Sequence, residues 1–211
     1  MDNYLSDKLN LKGKKVILRL DLNVPIQNGS ITEISRIQKI LPTLKMLINM
    51  KAKIIIISHI GRPGGKKIKE LSLVPISKKL SSLLNTEVLF EEDILAVNLS
   101  NKINDLQNGT ILMFENIRFY EQEEKNDLQF SKKLADLGDI YINDAFSCSH
   151  RKQASIHKIV KFVSQSYAGP LLKKEIDSIN LVVKNKKKPV TCIIGGSKIS
   201  TKISVISKLI E

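Results

Sequence analysis

Four consecutive isoleucines, Ile54–Ile57, run directly into Ser58-His59-Ile60-Gly61-Arg62-Pro63-Gly64-Gly65. A β-branched run of this length that stops at a Gly/Pro cluster is the pattern of a strand buried on both faces, as in parallel sheets. Open α/β sheets place their ligands beyond the carboxyl ends of such strands. Here that end delivers an imidazole and a guanidinium to a glycine-rich rim. The stretch by itself fits an anion site, and it fits equally an ordinary basic loop after a core strand. The ends of the other strands have to separate the two.

The chain has 211 residues, enough for one large domain or for one domain and a piece of another. No apolar run approaches the ~20 residues that a bilayer-spanning helix needs, so no membrane partner is expected. The first eight residues, Met1-Asp2-Asn3-Tyr4-Leu5-Ser6-Asp7-Lys8, hold acidic groups and no apolar segment, so a secretory signal is not expected. Only two cysteines occur, Cys148 and Cys192, without metal-ligand spacing. They suit free thiols in a reducing, cytoplasmic compartment.

The formal net charge is +13, which could serve nucleic-acid binding. The lysines are scattered, however, aromatic residues make up 5% of the chain, and no aromatic residues interleave with basic ones to stack bases. No nucleic-acid partner is expected. The arginines say more. There are five, at positions 19, 36, 62, 118 and 151, against 29 lysines. Arginine differs from lysine in its planar fork, which grips carboxylate or phosphate with two hydrogen bonds.

Taken in order, Lys14–Asp21 reads as a first buried strand. Asp21 and Asn23 follow it, two apart, which places them on one side of an extended chain or in an Asx turn. Asn28-Gly29 is a turn signal. Thr32–Met50 has helical apolar spacing, with Pro42 predicting a kink or two abutting helices. Arg36 lies near its start, either as a ligand or as a solvated surface residue. After Ile54–Ile57, the loop Gly61–Lys67 fails as a P-loop because the upstream glycine and the final hydroxyl are missing. Leu73–Leu84 is a predicted helix with Pro75 in its first turn, 87–90 a short strand, and 98–106 a further helix. Thr110–Glu115 is a buried strand with Arg118 just beyond it. Asn126-Asp127 caps a helix that stops at Gly138. Asp139–Asp144 is another strand, followed by Ser147-Cys148-Ser149-His150-Arg151.

This alternation implies a doubly wound, mostly parallel α/β sheet, Rossmann-like in class. His59 with Arg62, Arg118, His150 with Arg151, and Asp21 with Asn23 then all fall on one sheet edge. Arg19 is the exception, inside the first strand, where pairing with a buried carboxylate is expected. Gathered guanidiniums repel one another, so their convergence makes sense around a multiply charged anion; each charge-assisted hydrogen bond is worth ~1.5–3 kcal/mol. Ala168–Lys184 is a predicted long helix, and Lys186-Lys187-Lys188-Pro189 a boundary. Val190–Ile194 is a predicted strand that turns at Gly195-Gly196-Ser197-Lys198 into a helix from about Ser200. Such a glycine turn suits a phosphate, and it is also a common structural joint. The expected organisation is a substrate-type domain over 1–167, a connecting helix and linker over 168–188, and the start of a second α/β domain over 189–211.

In sequence order, Arg19-Leu20-Asp21-Leu22-Asn23-Val24-Pro25, Ser35-Arg36-Ile37, Leu41-Pro42-Thr43, Ser58-His59-Ile60-Gly61-Arg62-Pro63 and Glu115-Asn116-Ile117-Arg118-Phe119 resemble the motifs of the phosphoglycerate kinase family. Asn143-Asp144-Ala145-Phe146, His150-Arg151, Ala168-Gly169-Pro170-Leu171, and Gly195-Gly196-Ser197-Lys198 with Thr201-Lys202 continue the resemblance over essentially the whole chain. It implies phosphoryl transfer between 1,3-bisphosphoglycerate and MgADP, giving 3-phosphoglycerate and MgATP. By the family pattern, Asp21 and Asn23 bind the glycerate end. His59, Arg62, Arg118 and Arg151 hold phosphate and carboxylate as a basic patch, and Arg36 reaches the transferred group. Gly195, Gly196, Lys198 and Lys202 meet the nucleotide phosphates, with Lys198 alongside Arg36 in catalysis.

Mg²⁺ is expected with the nucleotide, its protein ligand lying in a part of the family that this chain does not contain. A monomer is expected. Two departures stand out: Ser147-Cys148-Ser149 replaces the family's usual Gly-Thr-Ala, and family members are roughly twice as long. The 211 residues are expected to bind 3-phosphoglycerate weakly and to lack turnover. The competing reading is a non-catalytic fragment that binds anions or nucleic acid through its charge.

Overall fold

The computed structural model describes residues 3–27, 29–184, 191, 193–195 and 202–210. In chain order the elements are β1 (Lys15–Leu20), β2 (Ile26–Gln27), β3 (Ser30–Ile31), α1 (Ser35–Asn49), β4 (Lys53–Ile57), α2 (Val74–Leu84), β5 (Val88–Glu91), α3 (Leu99–Asn104) and β6 (Ile111–Phe114). Then come α4 (Glu121–Glu124), α5 (Leu128–Ala135), β7 (Ile140–Asp144), β8 (Gln165–Ala168), α6 (Pro170–Lys184) and α7 (Ile203–Ile210). The chain divides into two compact units, residues 1–173 and 174–211. None of the described helices is long and apolar enough to cross a membrane.

Unit one is built on a six-stranded sheet in the order β5-β6-β4-β1-β7-β8, every pair parallel. The isoleucine run sits near its centre, between β1 and β6, and all four side chains are fully buried. Alternation along the strands sorts two cores. Val16, Leu18, Leu20, Ile54 and Ile56 pack with Ile37, Ile40, Leu44 and Leu47 of α1 and with Ile76 and Leu80 of α2. Ile17, Ile55, Ile57, Leu112 and Phe114 face the other way, against Leu99 and Ile103 of α3 and Phe130 and Leu134 of α5. Helices therefore cover both faces, and the sheet is doubly wound, as the apolar runs require.

Three features depart from the sequence-based expectations. α1 is one uninterrupted helix through Pro42. Both Pro42 and Gln38, whose carbonyl lacks the proline's missing N–H, are exposed, so water can take the freed carbonyl. The long helix begins at Pro170, because Ala168 belongs to β8 and pairs with Asn143. β8 itself, of sequence Gln-Ser-Tyr-Ala, was not foreseen. The short antiparallel pair β2–β3 closes around Gly29, while Asn28 lies outside the described residues.

The start signals act where expected, whereas α5 ends at Ala135, ahead of the expected stop at Gly138. Pro75 sits in the first turn of α2, Asn85 ends that helix in the left-handed conformation, and the Asp127 carboxylate accepts from Phe130 N at 2.7 Å to cap α5. The start of α6 is tied to the sheet by Asp144. Its carboxylate accepts from Leu172 N at 2.8 Å and from Thr43 Oγ1 of α1 at 2.6 Å. Burial pushes the Asp144 carboxyl up from its ordinary range, and the Thr43 and backbone donors pull it back. Gly169 is needed here, since a Cβ would lie 2.3 Å from Asp144 Cγ.

Unit two holds the remainder of α6 and, among its described residues, α7. Lys202 Nζ donates to the Gly195 carbonyl just before α7. Gly196, Lys198, Cys192, Thr201 and the 185–190 boundary lie outside the described residues, and Thr191, Ile193 and Ile194, the described part of the strand expected over 190–194, belong to no strand.

Candidate anion site

The carboxyl ends of β1, β4, β6 and β7 share one edge, and a net of polar contacts fixes their loops against one another. Ser58, just past β4, donates from Oγ to Leu20 O at 2.8 Å and accepts from Leu22 N at 3.1 Å, stitching the end of β1 to the end of β4. Asn23 Oδ1 accepts from Gly61 N at 3.0 Å. Asn116, fully buried, donates from Nδ2 to Ile60 O at 2.8 Å and to Leu71 O at 2.9 Å, while its Oδ1 accepts from Arg118 N at 3.1 Å. Arg118 Nη1 in turn donates to Gly61 O at 2.7 Å. Gly61 adopts φ +62 and a Cβ there would meet the Leu71 side chain at 2.8 Å, so only glycine lets the His59–Arg62 loop pass this close.

Asp21 accepts from Asn23 N at 3.1 Å, so the Asx turn is real. The same carboxylate also takes Arg36 Nη1 and the Ser147 hydroxyl on Oδ2. The turn and the site are therefore one structure. The Ser147 hydroxyl joins the loop after β7 to the Asp21–Arg36 pair. Ser149 Oγ accepts from Asn143 Nδ2 at 3.0 Å and donates to Ala145 O at 2.9 Å. Cys148 is buried between them, and burial pushes its thiol up, away from reactivity.

At the centre is His59, 4% exposed. Burial and the charges of Arg19, Arg118, Arg151 and Arg36, in that order, push its pKa down to about 2. His59 is therefore neutral at physiological pH, a donor in the site rather than the cation that a basic patch suggests. Arg19 Nη2 lies 3.1 Å from His59 Nδ1. A guanidinium can only donate, so Nδ1 is the acceptor and the ring proton sits on Nε2.

Around this imidazole the guanidiniums are short of partners. The Arg118 side chain is 2% exposed, yet its Nε and Nη2 make no hydrogen bond; Nε only approaches Glu124 at an ion-pair distance of 3.9 Å. Arg151 Nε is likewise buried and unpartnered. Burial first, and then the neighbouring charges of Arg151 and Arg19, lower the Arg118 pKa. Unmet buried donors of this kind are costly, and an anion is the group that would meet them. Arg62, on the same loop as His59, is exposed, as are Arg36, Asn23 and His150.

The sequence reading missed several residues that hold this arrangement. The expected carboxylate partner of Arg19 exists only at one remove. Arg19 Nε donates to Ser155 Oγ at 3.0 Å, and Ser155 Oγ donates to Glu123 Oε1 at 2.6 Å. Asn116 carried a signal in its position just after β6. Glu123 carried none, being one acid in a charged run.

The doubly wound parallel sheet, with unpartnered buried guanidinium donors of Arg118 and Arg151 at its carboxyl edge, defines an α/β domain of Rossmann-like class. The family model for phosphoglycerate kinase matches residues 6–211. A phosphoglycerate kinase of Prochlorococcus marinus is 45% identical over 206 residues, 97% of this chain and 51% of that protein. One from Wolbachia pipientis wMel is 47% identical over 205 residues, again 97% of this chain and 51% of the relative. The solved phosphoglycerate kinase of Coxiella burnetii superposes with a TM-score of 0.86 at 39% identity, and that of Pyrococcus horikoshii with 0.84 at 30%, each covering 97% of this chain and 51% of the other. The chain belongs to the phosphoglycerate kinase family, and it spans about half the length of the relatives it matches.

Proposed function

We propose that this chain carries the acidic-substrate half of a phosphoglycerate kinase and binds 3-phosphoglycerate at the carboxyl edge of its sheet. The observation that carries the reading is the set of buried, unpartnered donors on Arg118 and Arg151 beside a neutral His59. A phosphate dianion and a carboxylate on one small molecule supply acceptors for these donors and for exposed Arg62. Asp21 and Asn23 face the glycerate hydroxyl end, and Arg36, held by Asp21 until substrate arrives, turns to the transferred phosphoryl group.

The reaction proposed for the whole protein is reversible phosphoryl transfer between 1,3-bisphosphoglycerate and MgADP in glycolysis, in a cytoplasmic monomer. Such transfer is mainly positioning and charge stabilisation, which guanidiniums supply. Gly195, Gly196, Lys198 and Lys202 are proposed to meet the ATP or ADP phosphates. Mg²⁺ is proposed to arrive with the nucleotide and to neutralise phosphate charge. Among the described residues no group of three or more His, Cys, Asp or Glu is placed to hold a metal.

The test is a calorimetric titration of the 211-residue chain with 3-phosphoglycerate, followed by competition with single-stranded RNA. Saturable one-to-one binding that RNA does not displace is the expected result. Salt-dependent RNA retention that 3-phosphoglycerate fails to compete would replace this reading with a nucleic-acid-binding one.

A further inference from the structure

Beneath the anion site lies a buried chain of groups that the phosphoryl-transfer reading leaves without a task. Glu123 is fully buried, alone of the acids in Glu121–Glu124. Its two oxygens accept from Ser155, Oε1 from Oγ at 2.6 Å and Oε2 from the backbone N at 2.8 Å. Ser155, also fully buried, lies in a single π-helical turn, Ala154–Lys158, a local widening that recurs at functional places in proteins. Its hydroxyl has given its one proton to Glu123, so toward Arg19 it can only accept, and Arg19 Nε meets it at 3.0 Å. Arg19 Nη1 donates to the Leu20 carbonyl, and Nη2 reaches His59 Nδ1 at 3.1 Å. Arg19 can only donate, so Ser155 Oγ and His59 Nδ1 both accept from it, and the Ser155 proton is left for Glu123. The sequence Glu123–Ser155–Arg19–His59 therefore has one self-consistent assignment of protons, ending with the imidazole proton on Nε2.

The arrangement also answers an electrostatic question. Arg19 is fully buried beside the Arg118 and Arg151 charges, and a buried cation there needs an opposite charge within reach. Glu123 is that charge. Placing it behind Ser155, rather than against Arg19, leaves Nη2 free to hold the imidazole.

We propose that Glu123 and Ser155 are positioning residues that orient Arg19 so that His59 presents Nε2–H, and only Nε2–H, to the anion. Neither touches the substrate; they act through Arg19. The part concerning the anion rests on the 3-phosphoglycerate reading, whereas the proton assignment stands on the ligand-free structure alone.

The experiment is long-range ¹H–¹⁵N correlation of the histidine rings in the ligand-free 211-residue chain at neutral pH. Only three histidines occur, and the His59 signals are assigned by their loss in His59→Gln. The wild-type chain is expected to show His59 wholly as the neutral Nε2–H tautomer. Ser155→Ala is expected to raise the Nδ1–H tautomer about tenfold, the equivalent of one lost hydrogen bond. Glu123→Gln, if it folds, is expected to do the same, while Glu124→Gln leaves the ring unchanged. An Nδ1–H ring in the wild-type chain overturns the proposal whatever the variants do, and so does a folded Ser155→Ala with an unaltered His59 spectrum. Titration with 3-phosphoglycerate separates the two readings: a chain that shows the Nε2–H ring but no 3-phosphoglycerate binding keeps the relay and loses the substrate.

Discussion

His59 feels the positive charges of Arg19 on β1, Arg118 after β6, Arg151 after β7 and Arg36 on α1. Its folded pKa, about 2, lies below the ordinary value of 6.5, so between these limits the unfolded chain binds the extra proton. Stability contributed by the neutral ring is then complete above pH 6.5 and is lost as pH falls below it. Relative to His59→Gln, wild type is expected to lose up to ~1.4 kcal/mol of unfolding free energy per pH unit below that point. Comparing urea unfolding of the two at pH 7 and pH 5 checks this, and a constant difference would show that His59 is not held neutral. The comparison cancels the opposing slopes of Glu123 and Asp144, whose raised carboxyl pKa values make their contributions fall as pH rises. Arg36 belongs to the same scale. In a full-length phosphoglycerate kinase carrying this half, Arg36→Ala is expected to lower kcat by ~10³-fold or more, as loss of other charge-stabilising arginines does. A kcat within tenfold of wild type would remove Arg36 from the transfer step.

Among the elements, the anchoring of α6 depends on one carboxylate. Thr43→Val removes the hydroxyl that meets Asp144 at 2.6 Å while keeping the volume, and leaves a buried carboxyl one donor short. The expected cost is about 1–3 kcal/mol in chemical unfolding; no change would mean that the Asp144 contact is incidental. This anchor was illegible in the sequence, because Thr43 and Asp144 lie on different elements and neither motif names the other. The central strands were legible for a physical reason: burial on both faces demands continuous apolar runs, and Ile54–Ile57 and Ile111–Phe114 are such runs. β8 was not, since Gln165-Ser166-Tyr167-Ala168 lies at the sheet's edge and needs no such run. The arginines at Arg118 and Arg151 were legible through their scarcity and their place after strands. Glu123 was not. A charge run is ordinarily solvated, and only the packing of the Ala154–Lys158 turn on α4 decides which acid is buried. Pro42 does not split α1 into two helices for the converse reason: exposure makes its missing hydrogen bond cheap.

For the molecule as a whole, the first unit is a folded α/β domain with its own two-sided core, and the proposed anion site lies entirely within it. The 3-phosphoglycerate reading depends on the fork of Arg118, not merely on a positive field, for a net charge of +13 would attract many anions. Lysine preserves the charge at this position and loses the planar pair of donors. The decisive measurement is therefore the dissociation constant of 3-phosphoglycerate for the 211-residue chain and for Arg118→Lys at physiological salt. The lysine variant, folded and equally charged, is expected to bind at least ~10-fold more weakly; affinity within twofold of wild type would contradict the role of the Arg118 fork.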